Sequence, residues 1–128
     1  MTHTVLISIG SNIAKAAEMI SRSLLGLSRC GLVNATDSYP SEGGYTNCVA
    51  ELRTELDLYA LRSFTKQIEQ ALGRRIDDKQ QGKVVIDVDI VFFDGKLLRP
   101  ADAHKSYFTM GLRLLKDVNS MVGHKKIL

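Results

Sequence analysis

The stretch from Val84 to Phe93 constrains the fold more than any other part of the chain, because its residues are almost all β-branched or aromatic. Such a run is typical of a β-strand. Successive side chains of a strand point to opposite faces, and here both faces are mostly apolar, so we expect the strand to be covered on both sides. A period of two predicts one face with Ile86, Val88, Ile90 and Phe92, and the other with Val85, Asp87, Asp89, Val91 and Phe93.

Two carboxylates, Asp87 and Asp89, are therefore predicted to project from the same face of a covered strand. Burying an unpaired carboxylate costs on the order of several kcal/mol. A divalent cation would remove that cost, and Mg²⁺ commonly takes one or two protein carboxylates together with water and substrate phosphate oxygens. The alternative is that both side chains lie at the open end of the sheet, solvated or paired with lysines. The pair favours a magnesium and phosphate site and leaves that alternative open.

Apolar spacing along the rest of the chain separates strands from helices. Runs with a period of two predict strands, and apolar residues that recur every three or four positions predict helices. The turn Gly10-Ser11-Asn12 offers two candidate N-caps, Ser11 and Asn12, to the first helix. The predicted elements are strands at Thr4 to Ile9, Leu32 to Tyr39, Tyr45 to Leu56 and Val84 to Phe93, and helices from Ile13 to a stop at Gly31, from Leu61 to Leu72 and from Tyr107 to Val118.

Three connecting segments separate these elements. Pro40 to Gly44 is predicted as a short loop, Arg74 to Lys83 as a mobile polar loop, and Pro100 to Ser106 as an irregular segment. Asp94-Gly95, directly after the aspartate strand, is typical of a hairpin. We find no repeat and no domain boundary, and a hydrophobic content of 45% supplies one core, so residues 1–128 are predicted to form a single domain.

The order of the elements predicts the fold class. Strand, helix, strand, strand, helix, strand is the split βαβ pattern of ferredoxin-like domains. We therefore expect an α+β fold with a βαββαβ core, in which helices cover a mainly antiparallel sheet. This fold hosts many unrelated functions, so the chemistry has to be argued from the site.

Charge and composition narrow the possible partners. A net charge of +3 suits a polyanionic ligand such as a nucleotide and would equally suit nucleic acid. RNA-recognition modules share the element order, but the chain has no Lys/Arg-Gly-Phe/Tyr-Gly-Phe-like strand, so no nucleic-acid partner is expected.

No apolar run is long enough for a signal segment or a membrane span, so we expect a cytoplasmic protein without a membrane partner. Cys30 and Cys48 are expected to be reduced and without function, and the sequence carries no prediction of the oligomeric state.

Four segments, in their order and spacing, resemble those of one enzyme family. They are the opening strand and Gly-Ser-Asn turn at Val5 to Asn12, the Tyr/Phe-x-Asn strand at Tyr45 to Asn47, the Glu-x-x-x-Gly-Arg helix end at Glu69 to Arg74, and the Asp-x-Asp strand at Ile86 to Ile90. From residue 4 to about residue 115 the chain resembles the 6-hydroxymethyl-7,8-dihydropterin pyrophosphokinase family of folate biosynthesis. The resemblance implies Mg²⁺-dependent transfer of pyrophosphate from ATP to a hydroxymethyl pterin.

The resemblance also assigns residues to the two ends of such a site. Asp87 and Asp89 would hold two Mg²⁺ ions that bridge the ATP phosphates, and Tyr45, Asn47 and Phe108 would form the pterin pocket. A ring and an amide can stack on and hydrogen-bond a flat, polar heterocycle. Ordinary core packing is the alternative for the two aromatic residues, whereas a buried amide in a strand needs partners.

The resemblance is incomplete in the basic residues on which phosphoryl transfer depends. Arg74 is retained and would contact a phosphate or pair with Glu69 or a loop aspartate. The family's loop arginine is absent, and Lys83 is the available substitute, with a point charge in place of a bidentate fork. Ala101 stands at the family's histidine and Ser106 at its second arginine. Two hypotheses follow: a pyrophosphokinase of reduced rate, and a non-catalytic homologue that binds a pterin or a nucleotide.

Overall fold

In the computed structural model, residues 1–75 and 78–127 are described, and their side chains are described except at Lys79 and residues 118–127. The main strands and helices follow one another in the order that the apolar periodicity predicts, with two short strands and a short helix added. The elements are β1 (His3–Ser11), α1 (Ala16–Leu27), β2 (Gly31–Ala35), β3 (Tyr39–Pro40), β4 (Thr46–Thr54), α2 (Leu58–Ala71), β5 (Asp87–Phe93), β6 (Lys96–Leu97), α3 (Pro100–Ala103) and α4 (Ser106–Ile127), with 3-10 turns at Glu42–Gly44 and Asp78–Gln81.

The strands form one sheet in the order β2-β4-β1-β5-β6, and β3 also pairs with β4. All pairs between the described strands are antiparallel. Helix α1 connects β1 to β2, and α2 connects β4 to β5, so each helix crosses over a neighbouring strand. The predicted ferredoxin-like α+β fold is confirmed.

Apolar side chains cover both faces of this sheet. On one face, Val5, Ile7 and Ile9 of β1 are fully buried in a large cluster that also contains apolar residues of α1 and α2. On the other face, Val49 and Phe108 belong to a smaller cluster between the sheet and α4. Burying each such side chain contributes about 1.5–3 kcal/mol, so the two layers together fix the position of β5.

A β-bulge in β5 changes the predicted faces at the end of that strand. Successive residues of β1 pair with Phe92 and then with Ile90, which leaves Val91 as an extra residue. Val88 and Ile90 lie in the large cluster as predicted, but Phe92 packs with Val91 in the small cluster and Phe93 against the large one. The predicted faces of Phe92 and Phe93 are therefore wrong. The two aspartates precede the bulge and keep their shared face.

The first helix begins at Ala16, and the predicted start at Ile13 is wrong. Ser11 continues β1, and the side chain of Asn12 accepts a hydrogen bond from the Val84 N–H at 2.7 Å. Both candidate N-caps are therefore used by tertiary contacts. Such contacts link the end of β1 to the segment that leads into β5.

Other boundaries also differ from the predictions. The segment Leu32 to Tyr39 forms two strands, β2 and β3, and the segment Pro100 to Ser106 contains α3, whose first residue is a proline, as suits a helix start. Helix α4 continues past its predicted end at Val118. The predicted mobile loop from Arg74 to Lys83 contains a 3-10 turn, and its residues 76 and 77 lie outside the described part of the chain. None of the described helices has the length and apolar character that a membrane span requires.

Candidate active site

A cavity of about 400 Å³ opens on the face of the sheet that α4 covers, where β1, β4 and β5 run side by side. Ser8 and Gly10 of β1 line it, and their small side chains leave room above the sheet. Ser8 pairs with Asp89, and Gly10 lies between Asp87 on one neighbouring strand and Asn47 on the other. Two strand spacings separate Asp87 from Asn47, which is roughly 10 Å. The cavity therefore joins the carboxylate pair to the predicted pterin strand.

Asp87 is held by a basic residue from the end of α2. Its Oδ1 atom lies 2.5 Å from Nη1 of Arg74, and the same nitrogen donates to Oε2 of Glu69 at 2.8 Å. Glu69 is buried, and its Oε2 atom also accepts a hydrogen bond from the Val88 N–H at 2.8 Å. These bonds clamp the first half of β5 onto α2. Of the partners that the sequence left open for Arg74, the described residues include Glu69, and Asp87 of β5 is a partner that the sequence did not suggest.

Asp89 has a weaker partner. Its Oδ1 atom lies 3.8 Å from Nη1 of Arg99, beyond hydrogen-bond distance. Burial raises the pKa of Asp89 to about 6, and the negative charges of Asp87, Asp102 and Glu69 add to this rise, while Arg99 opposes it. An ionised Asp89 is therefore costly in the protein alone, which is the electrostatic situation that a bound cation relieves.

The two aspartates are the residues that could hold a metal ion. Their side chains are 30% and 29% exposed, so both can be reached by an ion. Carboxylate oxygens are the ligands that hard cations prefer. No group of three or more His, Cys, Asp or Glu side chains in the described ranges is arranged to bind a metal.

The opposite end of the cavity is formed by Tyr45 and Asn47. Asn47 is 5% exposed; its side-chain oxygen accepts a hydrogen bond from the Ser41 hydroxyl, and its Nδ2 atom donates to the Ile9 carbonyl at 3.3 Å. Gly10 makes this position possible, because a Cβ atom there would lie 2.5 Å from Nδ2. The amide is thus fixed in orientation and keeps one N–H and one lone pair for a ligand.

Comparison with known proteins agrees with this geometry. The family model described as 7,8-dihydro-6-hydroxymethylpterin-pyrophosphokinase (HPPK) matches residues 6–119. The chain belongs to this family. The folic acid synthesis protein FOL1 of Dictyostelium discoideum is 27% identical over 106 residues, which cover 77% of this chain and 16% of that protein. This chain therefore spans a small part of the length of that relative. The predicted membership in the HPPK family, a family of diphosphokinases, is confirmed.

Two residues that the HPPK resemblance assigned to the site lie away from the cavity. Phe108 is fully buried in the cluster under α4, with its ring centre 6.3 Å from that of Phe92, and its neighbour Tyr107 lines the cavity instead. Lys83 is exposed and does not line the cavity or the smaller one at the edge of β5. The structure thus brings together Tyr45, Asn47 and the two aspartates, with Arg74 behind them.

Three polar residues next to Asp89 were missed in the sequence. Arg99 and Asp102 are ion-paired, and Tyr107 donates to the same carboxylate; all three line the cavity. Burial raises the pKa of Asp102, but the hydrogen bonds from Tyr107 and Arg99 outweigh it and hold the pKa below its ordinary value. The available signal was Arg99 directly after the hairpin of the aspartate strand, since a hairpin returns the chain to that strand.

Proposed function

We propose that this chain catalyses Mg²⁺-dependent transfer of pyrophosphate from ATP to 6-hydroxymethyl-7,8-dihydropterin, the reaction of the family to which it belongs. The observation that carries the proposal is that one cavity holds the Asp87 and Asp89 carboxylates and, about two strand spacings away, Asn47 and Tyr45. Such a distance suits a flat heterocycle at one end and a phosphate chain at the other. A cytoplasmic location is part of the proposal.

At the end of the cavity formed by Tyr45 and Asn47, side chains would orient the pterin ring. Asn47 offers one N–H and one carbonyl lone pair, which match the alternating donors and acceptors of a pterin edge. Tyr45 lines the same cavity with a half-buried ring that can stack on the heterocycle. Phe108 would not contact the pterin. Its buried ring packs between α4 and the sheet and would hold α4 in place beside the cavity.

At the phosphate end, Asp87 and Asp89 would hold two Mg²⁺ ions. Held there, such ions would neutralise the charge of the ATP phosphates. The chain itself orients the ligands: Arg74 fixes the Asp87 carboxylate, and Glu69 fixes the backbone between the two aspartates through the Val88 N–H. We assign Arg74 a positioning role, and a phosphate contact by Lys83 stays a prediction.

The reaction itself can be assayed directly. Attack by the pterin hydroxyl on the β-phosphorus releases AMP, so a coupled assay for AMP with ATP, the pterin and Mg²⁺ measures turnover. We expect turnover that EDTA abolishes and that D87N and D89N each lower by about 100-fold or more, by analogy with other electrostatic groups. The control D37N alters an exposed loop carboxylate and should leave turnover unchanged.

Absence of turnover at high enzyme concentration would reject the catalytic proposal. Calorimetry with the pterin and with a non-hydrolysable ATP analogue then tests the non-catalytic alternative. That alternative is motivated by the ion pairs of Arg74 with two carboxylates and by the absence of Lys83 from the residues that line the cavity. Binding of one ligand without turnover supports it, and binding of neither removes it as well.

A further inference from the structure

Arg99 lines two neighbouring cavities, and the aspartate pair lines both of them as well. It follows β6 and precedes α3, and it lines both the main cavity and a second one of about 310 Å³ at the open edge of β5. Strand β6 pairs only with Phe92 and Phe93 among the described residues, so no described strand pairs with this edge beside the aspartates, where Glu69 accepts the Val88 N–H. A phosphate chain in the second cavity would lie beside both Asp89 and the guanidinium of Arg99.

One end of this guanidinium is anchored. Its Nε atom donates to Oδ2 of Asp102, while Oδ1 of Asp102 accepts a hydrogen bond from the Tyr107 hydroxyl. The Asp102 side chain is 16% exposed, so this anchor is largely shielded from water. Tyr107 and Asp102 belong to different helices, α4 and α3, so the anchor is built by the tertiary fold.

The other end of the guanidinium is available. Nη1 lies 3.8 Å from Asp89 Oδ1, too far for a hydrogen bond, and the side chain is 48% exposed. An arginine has five N–H donors in a planar fork that suits bidentate binding of a phosphate. Because Asp102 holds the Nε side, the terminal nitrogens face the aspartate site with little freedom left to lose on binding.

We propose that Arg99 is the phosphate-binding arginine of this chain, positioned by Asp102 and Tyr107, and that it supplies the cationic contact missing at Ser106 and in the loop before β5. This inference rests on the proposed function and adds a residue to it. Without a ligand, Arg99 partly balances the charge of Asp89. When a cation takes over that balance, the terminal nitrogens bind phosphate oxygens, while the anchor to Asp102 is kept.

The test compares R99A and R99K with R53A, which removes a solvent-exposed arginine near the end of β4. Affinity for a non-hydrolysable ATP analogue with Mg²⁺ and affinity for the pterin are measured by calorimetry. R99A should weaken binding of the analogue by about 10- to 100-fold, as expected for loss of a charged hydrogen bond, and leave pterin affinity unchanged. R99K should recover part of the loss, because it keeps the charge without the fork. R53A should match the parent protein.

A second variant separates contact from positioning. D102N keeps Arg99 but weakens its anchor, so it should raise the KM for ATP less than R99A does and leave the KM for the pterin unchanged. Unfolding in urea must show a folded R99A protein. If R99A binds the analogue as tightly as the parent does, or loses affinity for both ligands equally, the assignment of Arg99 is overturned while turnover by the parent still supports the proposed function. If the parent binds no ATP analogue, the proposed function and this assignment fail together.

Discussion

Replacing Asp89 with asparagine should stabilise the protein in the absence of metal, because the ionised carboxylate is unfavourable where the fold places it. The pKa of Asp89 is raised from an ordinary value of 3.8 to about 6, first by burial and then by the charge of Asp87. At about 1.4 kcal/mol for each pH unit between these values, ionisation costs the folded state about 3 kcal/mol. The pKa of about 6 already includes the attraction of Arg99, so this is a net cost that asparagine avoids. We expect D89N to be about 2 kcal/mol more stable at pH 7.

Because the pKa of Asp89 is raised in the folded state, the difference in stability between D89N and the parent protein should depend on pH. Between pH 3.8 and about 6 the folded state binds more protons at Asp89 than the unfolded state does, so stability falls as the pH rises through this window. Well below pH 3.8 both states hold the proton, so the advantage of D89N should already be small at pH 4 and should vanish at lower pH. The charged neighbours Asp87, Glu69, Arg99 and Asp102 are present in both proteins, so their own titration cancels to first order in the comparison.

Urea unfolding in EDTA, at intervals from pH 4 to pH 8, measures this difference. D37N serves as the control and should follow the parent protein at every pH. Added Mg²⁺ with the ATP analogue should then stabilise the parent protein more than D89N, which reverses the order of the two. The reasoning is refuted if D89N is less stable than the parent at pH 7, or if the difference does not change between pH 4 and pH 7.

Three further substitutions test the contacts that shape the site. G10A should displace the amide of Asn47 and weaken pterin binding by about 10-fold or more, measured by calorimetry, with little change in affinity for the ATP analogue. G111A should destabilise the protein by about 1–3 kcal/mol in urea unfolding, because a Cβ there would clash with the Val49 side chain and the Tyr39 hydroxyl where α4 crosses the sheet. E69Q should cost about 2–3 kcal/mol, since a buried carboxylate that accepts from Arg74 and from the backbone of β5 is lost; full stability of E69Q would contradict the clamp between α2 and β5.

Local periodicity in the sequence was enough to predict several features of the fold and of the site. Two residues apart on a strand, Asp87 and Asp89 share a face whatever surrounds them, and the same holds for Asn47 of β4 and Tyr45, which lies in extended backbone directly before that strand. The apolar stripe of α2 predicted that helix correctly because a helical period is also a local property. The order of these elements was then sufficient for the ferredoxin-like fold.

Other features depend on contacts between residues that are far apart in the sequence, and these could be read only from the packed chain. Asn12 is a good helix cap, yet it binds the backbone of Val84, which no local pattern reveals. The bulge at Val91 arises from the register against β1, so it exchanges the faces of the residues after it. Arg99 reaches Asp89 only because a hairpin and two helix ends meet beside β5. A side chain's face follows from its own strand or helix, whereas its partners depend on the packing of the whole chain.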